Sequence, residues 1–230
     1  MLGLFQIMFK MMLPSSTASN GACNHRLSVI LRRFVSWCIL VAAIQAMQAS
    51  VVPAAELTAH PHRGSYWIEV VGKIEVGDAE RLSKLILGLD MQTTAVYFNS
   101  PGGAVYDGVQ IGLAVRSIGA TTVVGNRYCS SACAIAWLGG HNRLSMPGAR
   151  LGFHSCYSVN DKGSPLASEE CNSYIMNYMR KLGIPLGAAK YLVSKPPEEM
   201  DWLTADQLSQ LGIPAIQLDP TRDNIPYSHQ

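Results

Sequence analysis

Phe98-Asn-Ser-Pro-Gly-Gly-Ala-Val105, Tyr128-Cys-Ser-Ser-Ala-Cys-Ala134 and Pro147-Gly-Ala-Arg-Leu-Gly-Phe-His-Ser155 are the stretches on which a reading of this chain turns. The first joins an apolar run, Ala95-Val-Tyr-Phe98, to a turn signal. The second is a string of small residues leading into Ile135-Ala-Trp-Leu138, an apolar run of helical character. The third is a short strand-like segment that ends in a histidine. Acyl transfer needs a hydroxyl nucleophile, a base to take its proton and backbone donors for the oxyanion. The three stretches can supply one of each. Singly, each has a plainer explanation: helix-start chemistry for the serines, a packed side chain for the histidine, a simple turn for Ser-Pro-Gly-Gly. Order and spacing favour a common site.

Outward from this centre, strand and helix patterns alternate. Strands are expected at Ser65–Val71, Thr94–Phe98, Thr121–Val124, Arg143–Met146, Arg150–Phe153 and Ile213–Leu218. Helices are expected at Ala79–Leu89, where Leu82, Leu85, Ile86 and Leu89 form an apolar face after the capping signal Gly77-Asp78, and at Val105–Ile118 and Ser131–Leu138. A further helix, Ala167–Leu182, carries Glu169 and Glu170 near its start and Arg180 and Lys181 near its end, favourable for the helix dipole. Its Tyr174, Met176, Tyr178 and Met179 are assigned to core or interface. A last helix starts within Trp202–Leu208, capped by Thr204. Such alternation with strand–turn–helix joints implies a layered α/β domain.

The chain has 230 residues, enough for one domain and an appendage. Its 48% hydrophobic and 15% charged content argues for a globular protein. A formal charge of +2, with no basic patch interleaved with aromatics, argues against nucleic acid as a partner. Arg26, Arg32 and Arg33 precede an uncharged apolar run, Phe34–Ala49, and then small residues up to Ala55. That is the layout of a secretory signal peptide, with Val52-Pro-Ala54 as one cleavage signal and Ala46-Met-Gln-Ala49 and Ala55 as alternatives. The competing reading is an uncleaved tether through residues 34–55, about the 20 residues needed to cross a bilayer. Export to the periplasm is favoured over an inner-membrane anchor.

Of the six cysteines, Cys23 and Cys38 fall in this leader, which leaves Cys129, Cys133, Cys156 and Cys171. Four cysteines allow three pairings. In an oxidising compartment, Cys129–Cys133 would staple the turn around Ser131, and Cys156–Cys171 would close the loop after His154. No Cys-x-x-Cys pair or histidine cluster supports a metal site.

Asn99-Ser-Pro-Gly-Gly103, then Ser131-Ala-Cys-Ala134 with Gly139-Gly140, then Pro147 with His154 seven residues on, resembles the proteolytic subunit of the Clp protease. The resemblance runs from about Trp67 to Asp219 and is greater to the exported branch of that superfamily. It implies a ClpP/crotonase-type superhelix of β-β-α units over residues 56–230, behind an N-terminal extension, 1–55. It implies a serine endopeptidase-like hydrolase that forms a homo-oligomer, acts on a peptide or protein substrate and uses no cofactor. An exported protein would lack the family's ATP-driven unfoldase. Carried across, Ser131 matches the nucleophile and His154 the general base; Gly102, Gly103 and the amide of Ala132 match the oxyanion and substrate-binding groups. An imidazole, with an ordinary pKa near 6.5, suits the exchange of a proton with a serine at neutral pH.

The family's third catalytic residue is an aspartate two residues before an aromatic. Here Trp202-Leu-Thr-Ala205 matches the aromatic end, which puts Met200 in the aspartate's place. Asp201 is the leading substitute, with Glu199 and the more remote Asp161 as alternatives. The departure keeps two other readings open. One is a Clp-fold binding or scaffold protein with weak or lost catalysis. The other is a crotonase-like acyl-CoA enzyme, for which no CoA site is evident.

Overall fold

The computed structural model describes residues 54–219. The leader run 34–49 lies outside them. Among the described residues no helix is long and apolar enough to cross a membrane.

The centre of the fold is a mostly parallel sheet. Its main path is β1 (Glu56–His62), β2 (Ser65–Val71), β3 (Thr93–Ser100), β4 (Thr121–Ser130), β5 (Arg143–Ser145) and β10 (Ile216–Gln217). The β1–β2 hairpin is antiparallel and the other neighbours on this path run parallel. Strand β1 is absent from the sequence expectation because Glu56–His62 shows no clean apolar alternation; its Pro61 suits an edge strand.

Strand β4 is the pivot. Residues Thr122–Val124 pair with β5, and Tyr128–Ser130 pair with β6 (Arg150–Phe153). The expected strand ended at Val124; the extension to Ser130 comes from this second partner. On the far side of β6 lies antiparallel β9 (Asp201–Leu203). Trp202 and Leu203 are therefore strand residues. The last helix, α6 (Ala205–Gln210), starts after Thr204, whose side chain forms a capping box with Gln207. A hairpin, β7 (Tyr157–Val159) with β8 (Pro165–Ala167), completes the strands.

The helices pack on the sheet as their apolar faces dictate. In α1 (Asp78–Gly88), Leu82 is fully buried. Gly77 offers no side-chain cap; Asp107 of α2 (Val105–Ser117) accepts hydrogen bonds from the Gly77 and Ala79 N–H groups instead. Every residue of α3 (Ala132–Trp137) is buried, and the Trp137 indole donates to the Leu144 carbonyl at 3.1 Å. Helix α4 (Glu169–Lys181) is capped by the Ser168 side chain and buries Ile175, Tyr178 and Met179. Burial raises the pKa of the Tyr178 phenol, whose proton goes to the Ile135 carbonyl. Helix α5 is Leu186–Leu192.

Helices α2 and α3 are held in close approach by glycine. A Cβ on Gly139, just past α3, would collide with the backbone of Gly112, which has no side chain to move aside. Gly139→Ala is therefore expected to lower stability by roughly 1–3 kcal/mol, the usual cost of overpacking, measured by urea unfolding.

Candidate active site

Three parallel strands bring the three opening stretches together. Ser100 of β3 pairs with Cys129 of β4, and Cys129 pairs with Leu151 of β6. Two to three residues beyond this row, the strands lead to Gly102-Gly103, Ser131 and His154. The three segments thus lie at one carboxyl edge, where parallel α/β sheets form their ligand crevices.

Ser131 joins β4 to α3 with φ 55° and ψ −125°, a conformation that a side chain disfavours. Its N–H donates to the Gly152 carbonyl at 2.8 Å, and its carbonyl accepts from the Ile135 N–H at 3.1 Å. A disulfide between Cys129 and Cys133, both fully buried, spans the same turn. The neighbouring hydroxyl is occupied: Ser130 Oγ donates to the Pro101 carbonyl at 2.9 Å. Of the two serines, Ser131 is the one paired with a base.

His154 Nε2 stands 2.8 Å from Ser131 Oγ, and Nδ1 stands 2.7 Å from the carbonyl oxygen of Ser155. A carbonyl can only accept, so Nδ1 carries the proton and Nε2 is left to accept from the serine hydroxyl. The Tyr157 ring lies 5.8 Å from the imidazole, centre to centre. Cys156 is bonded to Cys171 on the first turn of α4, and its N–H donates to Asn172 Oδ1 at 2.7 Å. The Ser155 N–H donates to the Lys195 carbonyl. The segment that orients His154 is thus fastened on both sides.

Gly102 lies against Ser130, Ser131 and Ala132; a Cβ there would come within 2.8 Å of Ser131 Cβ. Gly103, at φ 141°, bridges Ile74: the Ile74 N–H donates to Gly102 and the Ala104 N–H to Ile74. In such a parallel bridge the Gly103 N–H points away from Ile74. Neither this N–H nor that of Ala132 has a protein acceptor among the described residues. Helix α3 spans only six residues, so its first N–H groups, more than any long-range dipole, are what it offers an anion.

Asp201 does not join the pair. It lies opposite Phe153 in the β6–β9 ladder, while Trp202 lies opposite Gly152. Side chains alternate across a strand, so Asp201 shares the face of buried Phe153, and Met200 and Trp202 share the face of Gly152 and His154. The Met200 thioether packs over Gly152. The Asp201 carboxylate instead raises the pKa of the exposed Tyr191 phenol. No carboxylate lies within ion-pairing distance of His154 among the described residues, and Asp161 sits in the exposed β7–β8 turn. The Ser155 carbonyl stands where an acid was expected. Sequence reasoning missed it because every residue carries a carbonyl. The edge-on pair of Tyr128 and Trp202 beside the site was also missed.

Among the described residues no group of three or more His, Cys, Asp or Glu is placed to hold a metal. A separate half-open groove between α2 and α4, lined by Val109, Leu113, Tyr174 and Tyr178 together with Gln110, Asn177, Arg180 and Lys181, includes none of the candidate site residues.

Residues 64–169 match the family model of Clp protease. Among solved structures, a variant of the 1510-N membrane-bound stomatin-specific protease aligns with a TM-score of 0.51 at 15% identity, over 66% of this chain and 79% of that one. Another variant of that protease, in complex with a substrate peptide, gives 0.50 at 16% identity over 66% and 74%. A ClpP1 variant from Listeria monocytogenes gives 0.49 at 21% identity over 66% and 91%. No curated protein matches the chain. Residues 64–169 are thus similar to Clp protease, and the fold is a mixed α/β architecture around a mostly parallel sheet.

Ordinarily alanine is more stabilising than glycine, because glycine loses more entropy on folding. At Ser131 the order should invert. Ser131→Gly is expected to be more stable than Ser131→Ala by about 1 kcal/mol, the scale of the left-handed penalty, in parallel urea titrations. Replacing Cys129 and Cys133 together by alanine should cost roughly 2 kcal/mol by the loop-entropy relation for so short a loop, read in the same way.

Proposed function

We propose that this protein is an exported serine peptidase in which Ser131 is the nucleophile and His154 the general base. The observation that carries the reading is the 2.8 Å bond from His154 Nε2 to Ser131 Oγ. Ser131 Oγ attacks the carbonyl carbon of a peptide laid in extended form beside Gly102-Gly103, and His154 Nε2 takes its proton. The oxyanion is met by the N–H groups of Gly103 and Ala132. The imidazolium then gives its proton to the leaving amine, and water hydrolyses the acyl-enzyme by the reverse sequence.

The Ser155 carbonyl performs one of the two tasks of a triad acid. It holds the correct tautomer, whose loss in a serine protease lowers turnover by about 10⁴. As a neutral dipole it gives the imidazolium less stabilisation than a carboxylate would. Slow turnover is the expected consequence. The apolar run after Arg33 and the two disulfides support export to the periplasm. A homo-oligomer is part of the same proposal. The missing carboxylate favours one second reading, a binding protein that no longer turns over.

Incubating the oxidised protein with a fluorophosphonate probe tests the assignment. Intact mass should show one adduct on the parent and none on Ser131→Ala or His154→Ala. Gly103→Ala, whose Cβ would collide with the Ile74 carbonyl, should slow labelling by about a hundredfold or more. A folded parent that takes no adduct would leave the binding-protein reading standing.

A further inference from the structure

The first residues of the domain end on a buried charge. Ala55 is 0% exposed and Asp78, on the first turn of α1, is 1% exposed. The Ala55 N–H donates to Asp78 Oδ2 at 3.1 Å, and the Glu75 N–H donates to the same oxygen at 2.8 Å. Arg81 Nη1 donates to Asp78 Oδ1 at 2.6 Å and to the Ala55 carbonyl at 3.0 Å. Ala54, one residue earlier, is exposed. The peptide bond between Ala54 and Ala55 therefore sits where the chain passes from surface to interior.

That bond follows Val52-Pro-Ala54, the small-residue pattern after which an exported chain is cut. We propose that the chain is cleaved between Ala54 and Ala55, and that the Ala55 α-ammonium so released forms a buried ion pair with Asp78. The proposal rests on the export reading above. A leader-removing peptidase supplies the water that breaks the bond. The water oxygen goes to the Ala54 carbonyl, which departs with the leader as a carboxylate. The Ala55 nitrogen gains the protons that make it an ammonium.

Three features fit this occupant. A carboxylate out of water requires charge or several donors as compensation, and the cation bonded to Asp78 among the described residues, Arg81, is itself half exposed. An ammonium in place of the Ala55 N–H adds a charge and two further donors on the oxygen that Arg81 does not take. The alternative cuts do not supply this charge: cleavage after Ala49 keeps the Ala55 nitrogen in a neutral peptide bond, and cleavage after Ala55 removes the residue whose N–H meets Asp78. The turn closed by Asp78 and Glu75 follows directly on Ile74, whose backbone holds Gly102 and Ala104. The new terminus therefore lies in the element that supports the Gly102-Gly103 loop.

The test is to express the full chain with its own leader in an exporting bacterial host, then determine intact mass and N-terminal residue. The α-amine of the product is then acylated with an N-hydroxysuccinimide ester, natively and in urea. A chain beginning at Ala55 is expected, with its amine acylated at least about tenfold more slowly in the native state, as a one-unit pKa displacement would give. Asp78→Asn should remove most of that protection. If Asp78→Asn does not accumulate, the native-to-urea ratio of the parent decides alone. An exported product with another first residue, or equal reactivity in both states, overturns the proposal and leaves export and the Ser131 chemistry standing. An uncleaved chain retained in the cytoplasm overturns this proposal and the export reading together. Neither readout depends on hydrolytic activity.

Discussion

The register of three parallel strands is the constraint on which the site depends. Because Ser100, Cys129 and Leu151 form one row, the segments that follow them emerge side by side at the spacing of neighbouring strands, about 4.8 Å. A slip of one residue in β4 would turn Ser131 and its neighbours to the other face of the sheet. Strand β4 can hold both sides because it is long: its first half pairs with β5 and its second half with β6. The close crossing of α2 and α3 at Gly112 and Gly139 keeps α3 directly behind the turn that carries Ser131.

Around that register the protein confines one disfavoured backbone conformation. Ser131 sits at positive φ, a state costing about 1–3 kcal/mol that persists only where its surroundings over-determine it. Here the surroundings are the Gly152 carbonyl, which takes the Ser131 N–H, the Cys129–Cys133 bond and the buried first turn of α3. The conformation lifts the hydroxyl out of the strand towards His154 while Ser130, one residue earlier, stays bonded to Pro101. A second disulfide does similar work for the histidine by fastening the chain just beyond Ser155.

The third position shows how strand alternation overrides proximity in sequence. Asp201 is adjacent to Met200, and a one-residue adjustment could in principle exchange them. The β6–β9 ladder prevents it: Phe153 faces Asp201 and Gly152 faces Trp202, so an exchange would carry Trp202 into the core and Leu203 out of it. Leu203 is almost fully buried, and that burial holds the register. The imidazole is oriented instead by a main-chain carbonyl one residue away.

Much of this was legible in the order of residues. The opening stretches marked the loop of glycines, the serine turn and the histidine, because Gly-Gly, small residues before an apolar run, and a strand ending in histidine are local patterns. Strand β2 and helices α1, α2 and α4 came from periodicity and end signals to within a residue or two. The hairpin partners β1, β7 and β8 were missed, since Glu56–His62 is half-buried along most of its length and β7 and β8 are mostly exposed, which leaves no alternation to detect. What the sequence alone determined was which residues have the chemistry: the adjacent hydroxyls of Ser130 and Ser131 in a small-residue turn, the imidazole that ends a strand, and a run of backbone without side chains. Which of them meet was decided by the tertiary structure. Hydrogen-bond partners, the face on which Asp201 falls and the choice of a carbonyl for Nδ1 depend on strand pairing between segments about twenty to fifty residues apart, and no local pattern encodes that pairing.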